Sequence, residues 1–247
     1  MNLDEFENSR IPIVEIFTSI SGEGISAGEV FTFIRTAGCN LRCNFCDTTY
    51  SYDEKGSQNE FLYPEEILER LKIMGAFKLL CTGGEPLETE KAKRYLPLYL
   101  AAKGFDVRIE TNGSCPVYSK EEFAAFTDKK TLSLHYVLDA KCPGSLMSQY
   151  NIFEENFSNL SIGDEIKFVV ANQKDLDYAI TVIAKYKAVF SSNEVAINFS
   201  PVFNSIETKD IVAMLVEKNS YFMGEGLKVR LSLQIHKVIW PPEMRGV

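Results

Sequence analysis

The sequence is poor in histidine, with 2, and in cysteine, with 6 among 247 residues. A chain of this length can bury a sizeable core without disulfide staples. A cytoplasmic chain keeps its thiols reduced, so no disulfide framework is expected. No apolar run approaches the roughly 18 residues of a membrane span. The opening MNLDEFENSR is acidic and polar, without the apolar segment of a secretory leader. A cytoplasmic location with no membrane partner is therefore expected. Basic residues are also in deficit: 26 Lys and Arg against 34 Asp and Glu leave a net charge of −8. That argues against a general nucleic-acid binder, whose affinity comes from Lys and Arg neutralising phosphates. A local basic pocket is still open. Repeats and low-complexity linkers are absent too, and one domain over 1–247 is expected.

What is present is 45% hydrophobic and 24% charged residues, the mixture of a globular protein. Strands are predicted over 12–17, 29–36, 77–83, 106–112, 136–141, 165–171, 194–200 and 228–234. Helices are predicted over 64–75, near 89–103, and over 119–127, 173–188 and 207–219. Pro64 suits a first helical position, with acidic residues behind it in the first turn. Thr208 or Ser205 is expected to cap the last helix. Such alternation implies parallel strands with right-handed crossovers, about six units of them. The fold class is α/β, as an incomplete barrel or a strongly curved open sheet. Its functional loops should lie at the strand C-terminal ends. TAGC, TGGEP, ETNG and DAKCPG all fall there. Residues 50–62 are polar and read as a surface loop or small insertion.

Half the cysteines crowd into FIRTAGCNLRCNFCDTTY, where Cys39, Cys43 and Cys46 have C-x3-C-x2-C spacing. Three thiolates suit zinc or an iron–sulfur cluster. Structural zinc wants four protein ligands, often as two separated pairs. No second pair exists, and neither histidine is close in sequence. A cluster also commonly takes four thiolates. Three leave one position open to a substrate or cofactor, which favours catalysis. Gly38, Asn40 and Asn44 suit tight turns around such a group. In LLCTGGEPL, Gly83 and Gly84 let a ligand approach the backbone. Glu85 can accept a bond from an ammonium, and Pro86 stiffens the turn. Cys81, Cys115 and Cys142 form no second pattern and read as buried or unpaired thiols.

The cysteine spacing, with Phe45 before the last cysteine, resembles the radical S-adenosylmethionine superfamily. That likeness implies an incomplete (β/α)6-type radical SAM barrel. It implies a 4Fe–4S cluster on Cys39, Cys43 and Cys46, with S-adenosylmethionine on the fourth iron. Reductive cleavage of the cofactor then yields a radical that takes hydrogen from a substrate. TGGEP resembles the superfamily's loop for the cofactor's amino group. Further cofactor positions are Asp47; Glu110 for ribose hydroxyls; and Asp139, Ala140 and Lys141 for ribose or the methionine carboxylate. Ser200, Pro201, Val202 and Phe203 are expected to line the adenine.

The segments VEIFTSISGEGISAGEVFTFIRTAGCNLRCNFCDT and QIHKVIWPPEMRGV resemble both ends of the 7-carboxy-7-deazaguanine synthases. That family implies conversion of 6-carboxy-5,6,7,8-tetrahydropterin to 7-carboxy-7-deazaguanine with loss of ammonia, in queuosine and deazapurine biosynthesis. Magnesium, an electron donor such as flavodoxin, and a homodimer are expected with it. Backbone groups of Ile20, Ser21 and Gly22 should meet the flat pterin edge. Arg35 should pair with the substrate carboxylate, and Thr82 should add a hydroxyl. Thr48 should ligate magnesium. His236 and Lys237 are candidates for proton transfer. The tail is expected to fold over the site, bringing the Val247 carboxylate to the pterin. Ser21 stands where many relatives have Gln, and Asp139-Ala140-Lys141 where many have Ser-Pro-Lys. Two alternatives stay open: an activase making a glycyl radical on a partner enzyme, and a non-catalytic metal-binding protein.

Overall fold

In the computed structural model, residues 1–129, 131–242 and 244–247 are described. The strands are β1 (Ile11–Ile20), β2 (Val30–Thr36), β3 (Glu60–Leu62), β4 (Lys78–Gly83), β5 (Asp106–Thr111), β6 (Leu134–Asp139), β7 (Glu165–Val170), β8 (Ala196–Pro201) and β9 (Lys228–Leu231). They form one sheet in the order β3-β1-β2-β4-β5-β6-β7-β8-β9. From β2 through β9 each neighbouring pair in that order is parallel. The edges β3 and β9 do not pair with each other among the described residues, so the sheet is open. The expected α/β class holds.

Two strands depart from the parallel rule. β1 runs antiparallel to β2, because only the short turn around Gly24 and Gly28 joins them; a parallel crossover needs a dozen or more residues. The polar stretch 50–62 ends in β3, which pairs with Ile11–Ile13. It is an insertion that closes with an edge strand.

The helices are α1 (Leu3–Glu7), α2 (Pro64–Ile73), α3 (Leu96–Ala102), α4 (Lys120–Phe126), α5 (Phe153–Phe157), α6 (Gln173–Ser192), α7 (Thr208–Glu217), α8 (Asn219–Gly224) and α9 (His236–Ile239). Pro64 opens α2, and the Glu66 side chain accepts from the Tyr63 N–H at 2.7 Å. Ile67, Leu68 and Leu71 give it one buried face. The predicted cap of α7 is corrected. Glu207 is the N-cap and makes no side-chain cap bond. Thr208 is already helical, and Ser205 Oγ donates to the Ala171 carbonyl instead.

The sheet has two unlike faces, as a period of two requires. Ile34, Leu79, Cys81, Val107, Ile109, Leu138, Ile166, Phe168, Ile197 and Phe199 belong to the main apolar core. The residues between them are Arg35, Thr82, Arg108, Glu110, Asp139, Glu165, Lys167, Asn198 and Ser200. Register lines these up across neighbouring strands, with Arg35 beside Thr82 and Asp139 beside Lys167 beside Asn198. A parallel sheet covered on both faces normally reads as continuous apolar runs. This one lines the C-terminal part of one face with polar and charged side chains, several of them buried.

Candidate active site

The cysteine loop leaves the end of β2. Cys39, Cys43 and Cys46 are all free thiols and partly buried. Burial pushes the Cys39 and Cys43 thiols above their ordinary pKa. Asn112 Nδ2 lies 3.8 Å from Cys39 Sγ, and the Asn112 amide also holds Asn40 Oδ1 at 2.9 Å. Asn40 in turn donates to Ser114 Oγ at 2.8 Å. The loop is therefore tied to the ETNG segment. Among the described residues no three His, Cys, Asp or Glu side chains converge on one ion. A cubane does not require that convergence, because each thiolate meets a different iron. Three adjacent, unpaired, partly desolvated thiols fit such a cluster. Phe45 is partly buried between the second and third cysteines. Cys81, Cys115 and Cys142 are buried and unpaired, as expected.

The TGGEP loop packs directly on the cysteine loop. Gly84 N–H donates to the Thr36 carbonyl at 2.9 Å, and Glu85 N–H to the Gly38 carbonyl at 2.8 Å. A Cβ on Gly83 would strike the Thr36 backbone, and one on Gly84 the Gly38 carbonyl. The glycines thus admit another piece of the chain, where the sequence suggested a ligand. The Glu85 carboxylate is a second correction. It is 0% exposed and accepts from Leu87 N–H at 2.8 Å, Thr111 Oγ1 at 2.7 Å and Asn112 N–H at 2.6 Å. Burial raises its pKa. Its side chain is used to join two loops, which leaves backbone atoms of Gly83, Gly84 and Glu85 for a cofactor.

The inner face supplies the charge. Thr82 Oγ1 donates to Glu110 Oε2 at 2.7 Å, so these two candidate residues act as a pair. Lys141 Nζ donates to Asp139 Oδ2 at 2.5 Å. Lys167, which sequence reasoning missed, lies 3.1 Å from Glu23 Oε2 and 3.4 Å from Asp139 Oδ1. Burial alone would lower the Lys167 pKa. Asp139, Glu23 and Glu110 outweigh it and hold the ammonium charged, well above its ordinary value. Burial would likewise raise Asp139, but Lys141 and Lys167 hold it below the usual carboxylate range. Glu23 Oε2 and Asp139 Oδ1 face the Lys167 ammonium, while Asn198 Oδ1 is a buried acceptor without a hydrogen bond among the described residues. Such orphans are rare in folded proteins. Asn198 Oδ1, with the acceptor capacity left on Glu23 and Asp139, suits a ligand rich in N–H donors.

Below Lys167, Arg108 Nη1 pairs with Glu165 Oε1 at 3.0 Å. Glu165 also accepts from Ile25 N–H at 2.8 Å and Asn198 Nδ2 at 2.6 Å. It anchors the turn after β1. Ala140 is buried, its N–H on the Lys167 carbonyl at 2.9 Å. Ser200 Oγ donates to the Ser232 carbonyl at 2.9 Å, so its proton is committed there. Pro201 ends β8, Val202 N–H bonds the Val170 carbonyl, and Phe203 is exposed.

The structure narrows the Ile20-Ser21-Gly22 expectation. Ser21 N–H donates to Glu29, its carbonyl accepts from Gly28 and its hydroxyl meets Ser26 Oγ. The Gly22 carbonyl accepts from Ile235 N–H at 3.0 Å. The Ser21 groups serve the turn, and the Gly22 carbonyl ties it to the C-terminal segment. Glu23, two residues beyond Ser21, is the group that reaches inward, steadied by Gln234 Nε2 at 2.5 Å. Its signal in sequence was its place between two glycines.

His236 opens α9, whereas sequence placed it beyond a strand running to 234. Its ring fills the space a side chain at Gly22 would need. Burial lowers its pKa despite Glu23, which favours the neutral imidazole. Lys237 Nζ holds Asp47 Oδ2 at 2.8 Å and lies over the Phe203 ring at 5.6 Å. Thr48 Oγ1 donates to Asp47 Oδ1 at 3.0 Å. Desolvation would raise Asp47, but Lys237 and Thr48 keep the carboxyl of this exposed residue below the ordinary range.

Arg35 is half committed. Its Nε pairs with Glu15 Oε1 at 2.7 Å, which among the described residues is its one hydrogen bond. Tyr50, also missed, donates to Glu15 at 3.2 Å and lies 5.8 Å from the Arg35 guanidinium. The Arg245 guanidinium stacks on the same ring at 3.6 Å. Gly246 lies near Glu15, and Val247 is partly buried. The tail therefore lies beside Arg35.

Residues 33–136 match the family model of the Radical SAM superfamily. The 7-carboxy-7-deazaguanine synthase of Clostridium acetobutylicum is 37% identical over 235 residues, covering 95% of this chain and 98% of that protein. Its namesake in Leptospira interrogans is 32% identical over 267 aligned positions, covering 98% and 100%. The crystal structure of QueE from Escherichia coli shares the fold, with a TM-score of 0.65 at 20% identity over 91% of this chain and 94% of that one. A cysteine triad at the mouth of a charged sheet face and a match along nearly the whole length agree: the chain belongs to the 7-carboxy-7-deazaguanine synthase family of radical SAM enzymes.

Proposed function

We propose that this chain converts 6-carboxy-5,6,7,8-tetrahydropterin to 7-carboxy-7-deazaguanine with loss of ammonia. The observation that carries this reading is the buried polar face opening beside the cysteine triad, in a chain aligned end to end with synthases of that name. When bound, a 4Fe–4S cluster on Cys39, Cys43 and Cys46 together with S-adenosylmethionine supplies the radical that starts the reaction. The residues around them bind and orient. Gly83, Gly84 and Glu85 offer backbone atoms to the cofactor's amino group. Glu110, Asp139, Ala140 and Lys141 stand at neighbouring strand ends for its ribose and carboxylate. Phe45, Asp47 and residues 200–203 border the same space.

The Arg35 Nη groups take the substrate carboxylate while Nε stays with Glu15. Glu23 Oε2 and Asn198 Oδ1 accept from the donor-rich pterin edge, where Ile20 and Ser21 were expected to serve. The neutral His236 ring is able to accept a proton and Lys237 to hold Asp47 in place during the ring contraction. Thr48, the substrate carboxylate and waters form an oxygen-rich magnesium site. Val247 closes the pocket, with Arg245 fixed on Tyr50. A flavodoxin-like donor supplies electrons, and the working form is a homodimer.

The test is anaerobic turnover of the reconstituted protein with the carboxy-tetrahydropterin, S-adenosylmethionine, magnesium and a reductant. Mass analysis should find 7-carboxy-7-deazaguanine. A protein that carries a cluster yet forms none of this product overturns the reading.

A further inference from the structure

The run Lys91-Ala92-Lys93-Arg94 has the composition of a solvated turn, yet Lys93 is 1% exposed. It sits on a 3-10 turn over Ala92–Tyr95, between β4 and α3. Its ammonium donates to the Ala37 carbonyl at 2.8 Å and the Gly38 carbonyl at 2.7 Å, and pairs with Glu88 Oε2 at 2.7 Å. Three donors meet three acceptors. The next residue after Gly38 is Cys39. The same Gly38 carbonyl also accepts from Glu85 N–H at 2.8 Å. Gly38 has φ +88°, and a side chain there would press on the Lys93 ammonium. The loop is shaped around this cation.

Taking an ammonium out of water costs several kcal/mol even when it is paired. Two backbone carbonyls could be satisfied more cheaply by a neutral donor. The charge itself therefore calls for an account. Glu88 offsets it incompletely, because its side chain is 21% exposed while that of Lys93 is 0% exposed, and solvent screens the more exposed partner better.

We propose that Lys93 is a positioning residue for the iron–sulfur site, and that its buried charge raises the reduction potential of the cluster. It pins the two carbonyls that lead into Cys39, which sets where the first thiolate points. Reduction adds one negative charge to the cluster, and a nearby buried cation stabilises the more negative state. A compact ammonium suits three convergent acceptors; a planar guanidinium does not. The inference rests on the cluster assigned to Cys39, Cys43 and Cys46.

The experiment is a redox titration of the anaerobically reconstituted protein, followed by electron paramagnetic resonance, with iron and sulfide counted per chain. Lys93→Met removes the charge while keeping the length of the side chain. The ratio of reduced to oxidised cluster at a fixed applied potential should fall about tenfold, which is about 59 mV for one electron. Glu88→Gln removes the carboxylate paired directly with the ammonium, and the same ratio should rise severalfold. Opposite shifts distinguish a charge effect from general damage, which would lower cluster content in both variants without opposite shifts. Potentials equal to wild type in both variants overturn the inference, as does a shared direction. If Lys93→Met does not fold, Glu88→Gln decides alone: an unchanged or lowered ratio overturns it. A wild-type protein that takes up no cluster defeats the site assignment instead.

Discussion

Glu85 accepts three hydrogen bonds at a fully enclosed position, from Leu87, Thr111 and Asn112. Glu85→Ala strands all three donors, and a buried donor without a partner costs the full desolvation penalty. A loss of about 3 kcal/mol is expected, read as a lower urea midpoint; an unchanged midpoint would show that the loops do not depend on it. His236 carries a pH signature. Its pKa is lowered from 6.5 by burial, so the unfolded chain binds the proton more readily than the folded one. The stability this group contributes is complete above pH 6.5 and is lost as pH falls through its lowered folded value. Relative to His236→Gln, the wild type should weaken below pH 6.5 and keep a constant difference above it. Denaturation curves at several pH values check this, and parallel profiles refute it. Both residues were legible as conspicuous. Their surroundings were not, because sequence position does not say which loops will face each other.

The β4 loop and the cysteine loop work as one element. Gly84 lies so close to the Gly38 carbonyl that a single Cβ would collide with it. Gly84→Ala should cost about 3 kcal/mol, at the upper end of the usual overpacking range, and should lower iron and sulfide uptake. Gly224→Ala is the control: nothing lies within 4 Å of its added Cβ, and α8 ends there. It should keep both melting temperature and cluster content. Equal behaviour of the two variants would sink the interlocking argument. Helix ends divide along the same line. The Pro64 start of α2 was readable because its partners are within three residues. The cap of α7 was not, because Ser205 bonds to Ala171, 34 positions away.

At the scale of the molecule, an open sheet puts its charged face and its tail at one mouth. Arg245 holds the tail against Tyr50, beside the Glu15–Arg35 pair. Residues 244–246 are otherwise exposed, so deleting 245–247 should leave the melting temperature unchanged. Product formation should fall about tenfold or more, since loss of a closing segment misorients substrate. Full activity after the deletion would refute the tail's role. The alternation of strand and helix, the cysteine triad and the glycine-rich strand ends were written in the linear chain, because period, spacing and turn chemistry are local properties. Only the tertiary structure decided that Lys93 would be buried under Gly38, that Lys167 would stand between Glu23 and Asp139, and that Ser21 would spend its polar groups on its own turn. Each of those outcomes depends on which distant charge or carbonyl arrives nearby when the sheet curves, and desolvation then makes the pairing compulsory.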